Sequence, residues 1–166
     1  MLLRRIARPL FASWFVAEGV DALRHPAAHA MAGREGVAAL RSCLRRVPGA
    51  AAPLDRALTS VTEGQLEVLV RVHGAATVVA AGALAAGKAP RAAGLALAAL
   101  TVPVVVASLP AGRAHDEAEL ARRRRFTTAL TALGGALLAA ADLAGRPGMA
   151  WRVQAAREAR AAAVEG

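Results

Sequence analysis

Tyrosine is absent from the chain, and phenylalanine and tryptophan bring the aromatic share to only 3%. A soluble core of 166 residues would ordinarily draw on such rings for buried area, so Ala, Leu and Val must do the filling. Cys43 is the sole cysteine, which excludes an intramolecular disulfide and a metal site built on paired cysteines. Lysine is nearly missing too: Lys88 stands against twenty arginines. With alanine so abundant, that bias reads as the codon usage of a GC-rich bacterial genome rather than as function. The sequence holds no nucleophile motif, phosphate loop, dinucleotide fingerprint or paired metal-binding sequence.

Charge is missing from one long stretch. Ala92 to Gly112 runs for twenty-one positions between Arg91 and Arg113 without a charged residue. Its side-chain hydroxyls are Thr101 and Ser108, and a helix can return both to its own carbonyls. A helix apolar all round is either enclosed by a large protein or dissolved in lipid. This chain is too short to enclose one, so lipid is the expected solvent. Apolar residues make up 56% of the sequence, and the mean hydropathy is +0.40.

What is present in excess is arginine, giving a net charge of +9. Such a balance can mark a nucleic-acid binder. Here the arginines sit at the ends of apolar runs and in loops without interleaved aromatics, which fits the flanks of membrane spans and no nucleic acid. The N-terminal Arg4, Arg5 and Arg8 before a short apolar stretch resemble a secretory signal, but Glu18 and Asp21 fall where a small-residue cleavage site would lie. A retained first helix is therefore expected.

Four apolar segments emerge: about 6–23, 66–87, 92–109 and 126–144. The third carries Pro103, a site for a kink. Gly87-Lys88-Ala89-Pro90 reads as a tight turn joining the second and third segments into an antiparallel hairpin, and Gly145-Arg146-Pro147-Gly148 stops the fourth. Each segment approaches the length needed to cross about 30 Å of hydrocarbon. Between the first two, Val37, Leu40, Leu44 and Val47 form a stripe bordered by Arg34, Arg41 and Arg45. That is a basic amphipathic helix, suited either to the headgroup region or to capping the bundle. The expected fold is all-α: a four-helix transmembrane bundle (residues 1–150), with the amphipathic helix in the long loop between helices 1 and 2, and a basic tail at 151–166. An even span count puts both termini on one side. Nine basic residues fall on that side and eleven on the other, so charge counting does not orient the bundle. The basic N-terminus favours cytoplasmic termini.

The candidate polar cluster is Glu18, Asp21, His25, Arg71 and His73. The first three are spaced along one face of helix 1. Acidic groups within a span face the bundle interior or water, so they read either as a proton or quinone site or as a wet helix end. Arg71 is placed to pair with Glu67 on its own helix, or with Glu18 or Asp21 across the bundle. His73 has no second mid-span histidine to complete a haem site, and packing is its simpler role. His115, Asp116, Glu117 and Glu119 read as a loop whose acids balance Arg122 to Arg125.

Three stretches carry a family resemblance: RRIARPLFASWFVAEGVDALRHP, LVRVHGAATVVAAGALAAGKAPRAAGLALA and RRFTTALTALGGALLAAADLAGRPGMAWR. Together they cover nearly the whole chain and resemble the DoxX family of bacterial membrane proteins. The most telling parts are Asp21 to Arg24 before Pro26, the Arg71-x-His73-Gly74 motif, and Gly134-Gly135 through Asp142. The resemblance implies a four-helix bundle in the bacterial cytoplasmic membrane. Some relatives are small subunits of thiosulfate:quinone oxidoreductases or accompany redox enzymes in stress defence. The chain departs from actinobacterial members at Leu109-Pro110-Ala111-Gly112, where they carry a His-Pro-Phe-Trp-like stretch, and at Thr128-Ala129, where they carry a Lys-Asn pair. The expectation is thus a non-catalytic membrane subunit or scaffold for a thiol-, thiosulfate- or quinone-linked redox partner. The other two expectations are a quinone-reducing subunit using Glu18, Asp21, Arg71 and His73, and a small transporter or lipid-interacting protein. No cofactor or metal is evident, although the redox readings admit a quinone.

Overall fold

The computed structural model describes residues 2–44, 62–110 and 117–142, together with Arg160. The described residues form five α-helices and no strand: α1 (Leu2–Arg24), α2 (Pro26–Leu44), α3 (Glu63–Ala85), α4 (Pro90–Ala107) and α5 (Glu117–Ala141). α1 packs chiefly on α3 and α4 chiefly on α5, while α3 and α4 form the expected hairpin. α2 lies against α3 and α4.

Local sequence explains the breaks. His25 alone separates α1 from α2. The ring of Pro26 disfavours helical geometry at His25, and proline is well suited to open the next helix. The backbone bonds otherwise run on, from His25 N–H to the Asp21 carbonyl (2.8 Å) and from His29 N–H to the His25 carbonyl (3.3 Å). α3 opens on a capping box: Thr62 Oγ1 accepts from Gln65 N–H at 3.3 Å, and Gln65 Oε1 accepts from Thr62 N–H at 3.0 Å. It closes in a Schellman arrangement, with Lys88 N–H donating to the Ala83 carbonyl and Gly87 N–H to that of Leu84. Gly87 takes φ +68° there, where a side chain would be strained.

Close approaches fix the helix pairs. Where α1 crosses α3, Gly19 faces Gly74 and Val78; Gly87 lies beside Arg8. The two helices are therefore antiparallel. Gly94 of α4 meets Ala136 and Ala140 of α5, and Gly36 of α2 abuts the backbone of Ala107. This register gathers Arg8, the Lys88 turn and Asp142 at one end of the bundle. Arg34, Glu63 and Arg122 lie at the other.

Small side chains fill most of the core, and many large apolar ones face outward. The core is mostly alanine: Ala12, Ala81, Ala93, Ala98, Ala132 and Ala136, with Phe15, Leu84 and Leu97 as its large members. Ala81 and Ala136 are 0% exposed, whereas Val79 is 72% and Leu138 75% exposed. Large apolar side chains also face outward at Leu10, Val72, Leu95 and Val102. Two helices, α3 and α4, are individually long and apolar enough to cross a membrane.

Several boundaries depart from the sequence expectation. α5 begins at Glu117 rather than near Phe126 and takes in the four arginines. Glu117 and Glu119 are therefore in its first turn, not in a loop, where acids suit the helix dipole. Glu119 is buried and pairs with Arg123 at 3.3 Å and Arg122 at 3.9 Å. α2 starts directly after α1, not after an intervening loop, and buries Pro26, Ala30 and Gly36. Of the expected amphipathic stripe, Val37 is half-buried. Val47 lies outside the described residues, as do His115, Asp116, the helix stop at 145–148 and all of the basic tail except Arg160.

Candidate ligand-binding cavity and polar cluster

A cavity of about 290 Å³ opens between α1, α2, α3 and α4. Its walls are mostly apolar, with Trp14 and Phe15 from α1, Leu69 from α3, and Leu100 and Val104 from α4. Trp14 meets the edge of Phe15 at a centroid distance of 4.9 Å, and Phe11 meets Phe15 at 5.1 Å, which fixes the ring orientations. The polar members of this lining are Glu18, His29, His73, Thr77, Thr101 and Ser108. α5 contributes Arg125.

Helical spacing produces the polar side of the cavity. On α1, Trp14, Phe15, Glu18, Gly19 and Ala22 fall on one stripe. On α3, Leu66, Leu69, Val70, His73 and Thr77 do the same. The register that sets Gly19 against Gly74 and Val78 puts Glu18 on the stretch of α3 that holds Thr77. Glu18 is half-buried and has no hydrogen bond or ion pair among the described residues. The hydroxyls are committed inward: Thr77 donates to the His73 carbonyl (2.9 Å), Thr101 to that of Leu97 (2.6 Å) and Ser108 to that of Val104 (2.8 Å).

Asp21 lies one turn further along α1, outside the cavity lining. It clamps the α1–α2 joint: His25 Nδ1–H donates to Oδ1 at 2.9 Å and His29 Nε2–H donates to Oδ2 at 2.8 Å. A carboxylate only accepts, so each of those ring nitrogens carries its hydrogen. His29 thus connects the clamp to the cavity.

The structure brings Glu18 and His73 to one cavity and joins Asp21 to His25. It does not bring Arg71 to them. Arg71 is exposed on α3 and forms no ion pair or hydrogen bond among the described residues, so the cross-helix pair with Glu18 or Asp21 is not formed. The acceptors of Asp21 are taken by His25 and His29, four and eight residues on, and Arg71 is exposed on α3. The sequence pattern does not single out His29, because hydropathy marks the chain after Pro26 as a loop. Its signal was the Asp21, His25, His29 spacing of four and four. Among the described residues, no group of three or more His, Cys, Asp or Glu is arranged to hold a metal.

At the opposite end, Arg8 donates to Asp142 at 3.3 Å and ties α1 to the end of α5. Arg91 Nε donates to the Ala140 carbonyl at 3.3 Å. Comparison with protein-family models, curated proteins and solved structures finds no match to this chain.

Proposed function

We propose that the chain is a DoxX-like integral membrane protein with four spans that serves as a small subunit or scaffold beside a redox partner. Residue size carries the membrane part of this reading. In lipid there is little hydrophobic reason to bury leucine, so bundle interfaces favour Ala and Gly that let backbones approach. Alanine seams inside and bare Val and Leu outside on all four bundle helices support that solvent. α1 and α5 supply the remaining two spans, and Arg123 and Arg124 are exposed near the start of α5, where arginines can snorkel to headgroups. Hydroxyls on α5 support the same reading: Thr127, Thr128 and Thr131 all bond back to carbonyls of their own helix, as unsolvated groups must. The redox association rests on the resemblance of the three quoted stretches.

Two experiments test the halves separately. Alkaline carbonate should leave the protein in the membrane pellet, and release to the supernatant refutes the spans. Affinity purification in mild detergent should retain an oxidoreductase. Its absence under conditions that keep the bundle folded removes the scaffold reading. The second reading is a small transporter or lipid-interacting protein without a redox role, favoured by the apolar cavity with its half-buried Glu18.

A further inference from the structure

We infer that the cavity beside Glu18 binds a small apolar molecule carrying a primary amine. The inference needs the bundle geometry and does not depend on a redox partner. The argument is one of donors and acceptors. An apolar pocket with a few convergent polar groups is the usual form of a small-molecule site, and its polar groups set the chemistry of the ligand's head. Thr77, Thr101 and Ser108 each spend their one hydroxyl hydrogen on a backbone carbonyl of their own helix. Each hydroxyl is left with lone pairs only, and so can accept but not donate. Glu18, as a carboxylate, likewise only accepts, and it lacks a partner among the described residues. Of the polar residues of the lining, Glu18 and the three hydroxyls can only accept, while the His73 ring and Arg125 carry N–H donors, and Glu18 is the acceptor that bears a charge.

An ammonium head supplies three N–H donors and the charge opposite to that of the carboxylate. Trp14 adds ring surface for the body of the ligand and for the cation. A fatty acid fits less well, because its carboxylate would bring a second negative charge toward Glu18. Arg125 is the one permanently cationic side chain of the lining. The amine can come from a free lipophilic molecule or from the headgroup of an aminophospholipid; the shared chemistry is the primary ammonium on an apolar body.

The test uses the full chain carrying Trp151→Phe, so that Trp14 alone reports, in phosphatidylcholine nanodiscs at neutral pH. The probes are 1-adamantylamine, 1-adamantanol and 1-adamantanecarboxylate, which share one apolar body. The amine should give a saturable change in Trp14 fluorescence, with an affinity at least about tenfold above that of the alcohol and the carboxylate. Glu18→Gln should erase that preference, and Thr77→Val should weaken the amine alone. Equal response to all three probes, or a linear unsaturable one, overturns the inference whether or not the variants fold. A saturable amine response unchanged in folded Glu18→Gln overturns it as well. Repeating the titration with phosphatidylethanolamine in the disc separates the sources. Competition identifies the lipid headgroup and unchanged affinity a free amine, and both support the amine site.

Discussion

Gly19 and Gly74 meet backbone to backbone: a Cβ on either would lie 2.8 Å from the carbonyl oxygen of the other. No flexible side chain stands between them to yield, so the contact sets the spacing of α1 and α3. Gly19→Ala or Gly74→Ala should destabilise the bundle by about 1–3 kcal/mol, the usual cost of overpacking. Gly82, on the same helix as Gly74, faces open space. Gly82→Ala should instead stabilise by up to about 1 kcal/mol through helix propensity. Thermal unfolding in one detergent compares the three directly, and a similar loss in all of them would show that the crossing is not special.

The second prediction concerns the joint. Asp21 holds His25 and His29 together, and His29 also lines the cavity. Asp21→Ala and His29→Ala should each lower the melting temperature, while the double variant should lose less than the sum. Strict additivity in that cycle would mean the clamp contributes nothing. Asp21→Ala should also change Trp14 emission, because the cavity wall is no longer fixed.

At the far end, Arg8 and Asp142 are mostly covered, with side chains 22% and 27% exposed. A charged hydrogen bond in such a setting contributes on the order of 1.5–3 kcal/mol. Arg8→Ala should therefore cost more than loss of the more exposed pair of Arg34 with Glu63, whose side chains are 47% and 81% exposed. Chemical denaturation of the two variants checks the order. A greater loss from Arg34→Ala would reverse the ranking of the two ends.

Orientation is open to labelling. The register puts the Lys88 turn and Glu63 at opposite ends. In a Cys43→Ser background, Lys88→Cys should react with an impermeant maleimide only after the cytoplasmic side is opened. Glu63→Cys should react in intact cells. Labelling of both from one side contradicts a bundle that spans the membrane as proposed.

Sequence patterns carried the α3–α4 hairpin because its turn is written in local chemistry, with Gly87 at positive φ and Pro90 opening α4. The start of α5 was less legible. Apolar content marks where lipid can begin, whereas a helix continues for as long as its backbone bonds and side-chain pairs hold. Glu119 and Arg123, four apart, support a charged helical turn that hydropathy reads as loop. The site was legible in composition but not in pairing. Glu18 and His73 stood out as polar residues on apolar helices, and they share a cavity. Arg71 stood out equally, yet it faces outward. Which side of α3 each occupies depends on where Gly74 lets α1 approach, a three-dimensional choice that one helix does not encode.

The alanine seams decide which mutational survey can read this protein. Alanine scanning measures what a side chain contributes by trimming it, and at Ala12, Ala81, Ala93, Ala132 and Ala136 there is nothing to trim. Such a scan would pass silently over most of the interior and register mainly the polar clamps and the few large core members, Phe15, Leu84 and Leu97. A scan that enlarges each position to leucine would do the opposite. It would trace the helix contacts one by one and leave the outward faces unmarked.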